Sequence, residues 1–295
     1  MTDLFNRDFA LKIGAWSLDT REKSTPIIED GVSKTTLAVD FMIEKTLAKE
    51  PNLATVTLYN LNPNNRKILA DSVKPNLPTV LPVSIEAGYV GARELIFIGD
   101  ITVASSNHEG TKWITKIEAS DGGTKYRSKR FSKSFGPGAM LPAIMTEVVG
   151  AYGIGPGNLF ETIIANTRGL QVYYKGVVVE GRISDILDHF LCSMGFTWSI
   201  QDGQIQVLHP GKPNFEPAVF LNPSSGLVGS PEVGEKGKVT GRSLLQGSIR
   251  PGRRVVIESS SVSGTFVIEK ASYRGSTAGN DWYVDFDAKP EAIAA

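Results

Sequence analysis

The stretch Leu53–Leu69, LATVTLYNLNPNNRKIL, decides the local fold because it joins a strand to a helix through one capped turn. In its first seven residues Ala, Val and Leu alternate with Thr, Thr and Tyr, which is the period of a half-buried strand. Asn62 is a good N-cap, and Pro63 suits the first helical position because its missing N–H would be unpaired there anyway. The stretch has no convergent polar groups, so we interpret it as architectural.

The composition is typical of a folded, loop-rich chain with many strands. The chain has 295 residues, enough for two or three domains, with 41% hydrophobic residues and 30 glycines. Its 31 basic and 31 acidic side chains cancel. This balance gives no bulk electrostatic attraction towards nucleic acid or an anionic membrane.

Cysteine and apolar patterning exclude several classes of protein. A single cysteine, Cys192, excludes an internal disulfide framework and a four-cysteine metal site. No apolar run approaches the roughly 18 residues that span a bilayer. The opening MTDLFNRDFA is polar where a signal peptide would be basic and then apolar. We therefore expect a protein that stays in a cytosol until it assembles, with no cofactor and no metal.

The first 120 or so residues are rich in strand patterns. Apolar and polar side chains alternate from Leu37 to Ile43, after a long polar loop or arm at Asp19–Lys34. Three further runs complete an expected antiparallel barrel or sandwich: Pro82–Tyr89, Glu94–Ser105 and Thr111–Ala119. The DGG triplet at residues 121–123 then breaks the pattern.

The middle section changes to a helical period. Apolar residues recur at helical spacing from Leu141 to Tyr152, before Gly153, and again from Ile183 to Met194, before Gly195. A tight Asp-Gly turn at residues 202–203 then predicts a hairpin. These patterns predict a small α+β unit.

The last section returns to strands and resembles the first. Candidate strands cover Arg254–Glu258, Gly264–Tyr273 and Trp282–Ala288. At an offset of 169 residues several identities appear: Pro82 with Pro251, Phe97 with Phe266, Gly110 with Gly279, Trp113 with Trp282, and Ala119 with Ala288. We therefore expect a mainly β protein, with β domains at 1–122 and 213–295 flanking an α+β domain at 123–212.

A catalytic reading has little support in the sequence. His189 lies three residues before Cys192 on the second predicted helix, so a nucleophilic pair can be imagined. Both residues lie off the apolar stripe, and no third group orients them. We assign no catalytic residue and expect no enzyme, with a cell-wall-degrading tail enzyme as the alternative.

A basic and aromatic run at Lys125–Phe135, KYRSKRFSKSF, has the composition of a nucleic-acid site. Its side chains could hold phosphates and stack bases. A solvated strand, a linker between two domains or a subunit contact explains the same run. We favour these structural explanations because the whole chain is neutral.

Several stretches taken in order resemble the baseplate hub (tail-hub) proteins of tailed bacteriophages. PNLATVTLYNL resembles the strand-to-YNL signature of their first tube-like domain, and AGYVGARELIFIGDIT with WITKIEASDGG resembles its closing strands. The run from Tyr174 to Leu208 resembles their middle domain. The most specific piece, Gly226–Gly275, is similar to their C-terminal tube-like domain.

This resemblance implies a homotrimer in which two tube-like domains per subunit form a ring of six similar units. Such a hub adapts a sixfold tail tube, or a distal tail protein, to a threefold spike, with a tape measure protein as a further partner in its lumen. It belongs to the virion tail tip, is assembled in the host cytoplasm and lets DNA pass without specific binding, so we expect an acidic or neutral lumen. The middle section leaves no room for an inserted enzyme domain. The residues expected at structural or interface positions are Tyr59, Asn60, Leu61, Trp113, Trp282 and Tyr283.

Overall fold

The computed structural model describes residues 6–19, 37–73, 81–122, 128–165 and 170–292. Most of the polar arm predicted at Asp19–Lys34, and the first five residues of the chain, lie outside this part. Within it the protein is mainly β, as the sequence predicts, and most of its strands join one large sheet. No helix in these residues is long and apolar enough to cross a membrane.

The first β unit contains seven described strands and one helix. The strands pair antiparallel in the order β3-β4-β7-β6-β5-β1-β2. Their bounds are β1 (Arg7–Ile13), β2 (Trp16–Asp19), β3 (Val39–Thr46), β4 (Leu53–Tyr59), β5 (Pro82–Tyr89), β6 (Ala92–Glu109) and β7 (Lys112–Ser120), and helix α1 covers Pro63–Ser72.

The strand-to-helix turn forms as predicted. The side chain of Asn62 accepts hydrogen bonds from the backbone N–H groups of Asn64 (2.7 Å) and Asn65 (3.3 Å). Pro63 occupies the start of the helix, where no intrahelical partner for an N–H exists. Leu69 is the one buried residue of α1 and anchors the helix to the core.

The middle unit is built from short sheets and three described helices. Strands pair as β8-β11, β9-β10 and β12-β13, each antiparallel. Their bounds are β8 (Arg130–Phe135), β9 (Ala139–Met140), α2 (Leu141–Tyr152), α3 (Leu159–Ala165), β10 (Val172–Tyr173), β11 (Val177–Arg182), α4 (Ile183–Ser193), β12 (Thr197–Gln201) and β13 (Gln204–Leu208). The predicted helices α2 and α4 are confirmed, and so is the Asp-Gly hairpin, whereas α3 and the β8-β11 ribbon were not predicted.

The second β unit repeats the strand order of the first. Its strands run β15-β16-β19-β18-β17, matching β3-β4-β7-β6-β5, and β14 pairs parallel with β17. The bounds are β14 (Val219–Leu221), β15 (Leu227–Val233), β16 (Val239–Leu244), β17 (Arg254–Glu258), β18 (Ser263–Ser276) and β19 (Trp282–Pro290).

Strand register refines the internal repeat. In each unit one bulge interrupts the pairing of the long strand with its Trp-led partner, after Ile101 opposite Ala119 and after Ile268 opposite Ala288. The 169-residue offset is therefore correct for β7 and β19. Along β6 and β18 the same offset would align Ile101 with Lys270, whereas the strand pairing aligns Ile101 with Ile268. The offset is therefore wrong by two residues in these two strands. An even shift leaves each side chain on the same face, which is why the apolar pattern still matched.

The two β units share one sheet and one hydrophobic core. The C-terminal half of β18 pairs antiparallel with β3 in seven register positions, from Lys270 opposite Thr46 to Ser276 opposite Asp40. Buried residues of both units form one cluster, and those of the middle unit form another. The three domain ranges given above stay a prediction.

Gly275 tests how tightly the two β units pack. A Cβ at this position would lie 2.3 Å from the ring of Phe41 and 3.0 Å from the ring of Trp282. Gly275→Ala should lower the free energy of unfolding by about 1–3 kcal/mol, because the added methyl group would overlap two buried rings that pack against each other. Chemical denaturation followed by tryptophan fluorescence measures the change.

Gly150→Ala is the matched control, because Gly150 is an exposed residue of α2 with nothing within 4 Å of its added Cβ. It should be neutral or stabilise by up to about 1 kcal/mol. Equal effects of the two substitutions would contradict the close packing at Gly275.

Candidate subunit interface

Trp282 joins the two β units inside one chain. Its ring packs edge-on against Phe41 (5.6 Å between centroids) and Phe9 (6.5 Å), two residues of the first unit that stack on each other at 5.3 Å. Its indole N–H donates to the backbone oxygen of Gly88 at 3.0 Å. Only 4% of Trp282 is exposed. The residue is thus a buried anchor between units.

Trp113 holds the corresponding place in the first unit but is 39% exposed. The guanidinium of Arg66 lies 3.6 Å from the centroid of its ring, and the ring of His108 lies 5.0 Å away. Arg7 lies over Trp282 in a similar way, at 5.4 Å. Each Trp ring therefore has an arginine over it, but Trp282 is buried by the other β unit, whereas Trp113 is partly exposed.

The predicted Tyr-Asn-Leu corner is built around Asn60. Asn60 has a left-handed φ of 58°, a conformation that Asn tolerates better than most residues. Its N–H donates to the oxygen of Trp113 (2.7 Å), and its side-chain oxygen accepts from the N–H of Trp113 (3.0 Å). The Tyr59 hydroxyl donates to Asp40, and this hydrogen bond is the main cause of a raised pKa of Tyr59. Leu61 is buried in the subunit's own core, so it supports the corner from below.

Tyr283 lies on the opposite face of β19 from Trp282, where charged side chains form ion pairs across the strands. Arg242 stacks 3.8 Å from the Tyr283 ring centroid and binds Asp285 at 2.6 Å. Lys238, the residue before β16, binds Asp287 of β19 at 2.8 Å. Acidic and basic groups therefore alternate on this face and offset each other.

The same face continues into the first β unit. Lys116 and Glu118 of β7 pair at 3.0 Å, and Lys270 of β18 lies 3.8 Å from Glu44 of β3. The second pair bridges the joint between units. A polar face with paired charges thus extends across the continuous sheet.

A buried charge pair ties the middle unit to the sheet. Lys45 is 1% exposed, and its ammonium nitrogen lies 2.6 Å from both carboxylate oxygens of Asp202, which sits in the β12-β13 turn. Asp202 has a left-handed φ of 52°. The sequence predicted this turn but gave no sign of its partner, because Lys45 looks like an ordinary charged residue at a strand end.

Asp121 forms the second half of this joint. Its carboxylate accepts hydrogen bonds from the backbone N–H (2.6 Å) and side-chain amide (2.9 Å) of Asn52 and from the N–H of Asp202 (3.2 Å). Asn52 also donates to the oxygen of Ile200 in the middle unit. Burial raises the pKa of Asp121 to about 7 despite these donors and the nearby Lys45.

The imagined His189–Cys192 pair is not assembled as a nucleophile. The Cys192 thiol donates to Asp188 at 3.2 Å, while the His189 ring packs against Phe190. Burial and then Asp188 raise the pKa of the thiol, which disfavours the thiolate. Within the described residues no three His, Cys, Asp or Glu side chains are placed to hold a metal ion.

The basic run lies partly in β8. Lys125 to Arg127 lie outside the described residues. Phe131 and Phe135 stack on each other at 6.4 Å and pack against the core of the middle unit, and Lys133 pairs with Glu147 at 3.1 Å. These three side chains are therefore engaged within the unit, which favours the structural explanation of the run.

Solved structures that align with this chain include tail proteins and a component of a secretion system. A 43 kDa tail protein of prophage MuSo2 from Shewanella oneidensis aligns with a TM-score of 0.59 at 8% identity, over 98% of this chain and 100% of its own. A tail protein from Neisseria meningitidis MC58 gives 0.59 at 9% identity, over 98% of both chains. The Escherichia coli c3393 protein, a component of the type VI secretion system, gives 0.53 at 12% identity, over 96% of this chain and 77% of its own.

The fold is therefore that of phage tail proteins. A family model described as Baseplate hub gp41 matches residues 22–288, so the chain belongs to this family of structural baseplate proteins. A comparison with curated protein sequences finds no match. The family assignment confirms the resemblance seen in the sequence.

Lys45→Met should destabilise the protein by about 3–5 kcal/mol, because Asp202 would be left without its buried counter-charge. The double variant Lys45→Met with Asp202→Asn should recover part of that loss, since Asn keeps the left-handed turn and carries no charge. Denaturation of both variants measures the difference. A double variant as unstable as the single one would contradict the charge-pair account.

Asp121 should make stability depend on pH. Its ordinary pKa in an unfolded chain is about 4, so between about pH 4 and pH 7 the folded chain binds more protons than the unfolded one. The free energy of unfolding contributed by this group therefore falls as the pH rises through that window, by up to about 4 kcal/mol.

The comparison that isolates Asp121 is the difference in unfolding free energy between the wild type and Asp121→Asn at pH 5 and at pH 8. The variant should be less stable at pH 5 and recover relative to the wild type at pH 8. Other carboxyl groups cancel in the difference, so a difference that does not change with pH would contradict the account.

Proposed function

We propose that three copies of this chain close into a ring that forms the hub of a phage baseplate. The observation that carries the proposal is the internal repeat, in which two β units of the same strand order are joined head to tail by β18 and β3. A head-to-tail contact that recurs between copies generates a closed ring when the rotation fits. Three copies would supply six β units.

Such a ring suits a position between parts of different symmetry. Six similar units present a sixfold surface towards a tail tube or distal tail protein above, while three identical chains present a threefold surface towards a spike below. A tape measure protein in the lumen completes the proposed partners. The family assignment and the tail-protein fold support a place in the virion tail, with assembly in the host cytoplasm.

The paired charges of the sheet support a channel through which DNA passes. We place the face that carries the ion pairs of Arg242, Lys116 and Lys270 towards the lumen. A strongly basic wall would release counterions from DNA and hold it tightly. Paired carboxylates offset the basic groups here, so the wall would not retain the passing duplex.

The mass in solution tests the ring. Light scattering coupled to size exclusion, over rising protein concentration, should give 95.4 kDa, which is three copies of 31.8 kDa. A stable mass of two or four copies would contradict the proposed symmetry. A chain that stays a monomer at every concentration, and also when the spike or tube protein is added, would contradict the closed ring.

A further inference from the structure

A cleft opens where the three units of the chain meet. Its volume is about 420 Å³, which is within the range of sites that bind small groups in proteins. One wall comes from β6 of the first unit, and a second comes from the β12-β13 hairpin and the start of α3. The third wall comes from the second unit and the segment that leads into it. The lining includes Leu95, Ile98, Glu161, Gln206, Phe215 and Arg250.

Hydrogen bonds between units hold these walls in place. A carboxylate oxygen of Asp202, in the hairpin turn, accepts from the backbone N–H of Ile98 in β6 at 3.3 Å. The N–H of Asn214 donates to the oxygen of Gly252 in the second unit at 2.7 Å. The cleft is therefore formed by the folded chain itself, and a ligand would not have to create it.

Phe215 presents an aromatic ring in this cleft. The residue is 86% exposed, although the chain is held on both sides of it. Asn214 is held by its bond to Gly252, and Glu216 forms an ion pair with Arg250 at 2.6 Å. A large exposed ring on a fixed backbone is typical of an anchor that a partner buries.

Two acceptors in the cleft have no partner among the described residues. The side-chain oxygen of Gln206 is buried and accepts no hydrogen bond there. The exposed carboxylate of Glu161 forms no ion pair within the same part of the chain. The other lining carboxylates, Asp202 and Glu216, are paired with basic side chains. The cleft thus offers one uncompensated negative charge and one unused oxygen, which suit a cationic hydrogen-bond donor.

We propose that this cleft is a docking site for a peptide segment of a partner protein, which inserts an arginine side chain. The guanidinium group has a positive charge for Glu161, N–H donors for Gln206 and a flat face that can stack on Phe215. Its aliphatic stem would pack on Leu95 and Ile98, each 37% exposed. A lysine would supply the charge without the planar face, so arginine is the better fit.

The shape of the cleft favours an extended segment over a small cation. The cleft shares Asn158, Asn214 and Phe215 with a neighbouring depression of about 90 Å³. Apolar residues of the middle unit and of the following segment, among them Leu208 and Pro213, line this depression. A chain that runs past Phe215 would place the arginine in the larger space and an apolar neighbour in the smaller one.

Isothermal titration calorimetry with the full-length protein tests the site. The probe is the peptide acetyl-Ala-Leu-Arg-Leu-Ala-amide, which should bind saturably with a dissociation constant of about 1 mM or below. The same peptide with citrulline in place of arginine keeps the shape and loses the charge, so it should bind at least about fivefold more weakly. Argininamide alone lacks the apolar neighbours and should also bind at least about fivefold more weakly than the peptide.

Two variants connect the binding to the cleft. Glu161→Gln and Phe215→Ala should each weaken binding of the arginine peptide by about fivefold. Both side chains are exposed, so the thermal unfolding temperature should stay unchanged. The matched control is Glu180→Gln, which neutralises an exposed carboxylate of β11 in the same unit outside the cleft and should leave the affinity unchanged.

Three results would overturn the proposal. One is the absence of saturable binding to the wild type, or equal binding of the arginine and citrulline peptides. A second is peptide binding that neither Glu161→Gln nor Phe215→Ala weakens, since the peptide would then occupy another surface. The third is binding of argininamide as tight as that of the peptide, which would indicate a site for a small cation and not for a docking segment.

Discussion

The long strand β18 holds the two β units together because two partners share one of its edges. Its first residues pair with β17, and after a bulge at Ile268 its remaining residues pair with β3 of the first unit. The backbone groups of an edge strand need partners, and here they find them in the other unit. Gly275 and Trp282 complete the contact. Because Gly275 has no side chain, the ring of Phe41 fits against it and packs on the ring of Trp282.

The middle unit is attached by a different kind of interaction. Its hairpin turn reaches the sheet through the buried pair of Lys45 and Asp202 and through the hydrogen bonds of Asn52 and Asp121. Removing one partner of such a pair is costly because the other charge is left buried without a partner. The sheet is thus continuous, while the middle unit is positioned by a few polar groups.

Much of the fold could be predicted from the sequence because its signals are local. Alternation of apolar and polar residues predicts β3, β4 and β19, and helical spacing of apolar residues predicts α2 and α4. The Asn-Leu-Asn-Pro sequence predicts the N-cap of α1. β15 was not predicted because a bulge interrupts its alternation, and β8 was not predicted because exposed charged residues obscure its alternation. Local pattern cannot reveal that β18 pairs with β3, more than 200 residues apart.

The candidate interface shows the same limit. Trp113 and Trp282 were found as repeat-related residues, but their patterns are alike, and only the tertiary fold shows that one is buried and the other exposed. Lys45 and Asp121 were missed because a lone charged residue in sequence carries no sign of its partner. The corner at Asn60 was found from its turn chemistry, whereas its hydrogen bonds to Trp113 depend on the distant strand β7.

The central claim is that the joint inside one chain is repeated between chains. An electron cryomicroscopy map of the assembled hub tests it most directly. Each copy carries two β units of the same strand order, joined by β18 and β3, so the account predicts a closed ring of three copies in which six β units surround one channel. A map in which the β units do not close into a ring, or in which the copies are not related by threefold symmetry, would contradict the account.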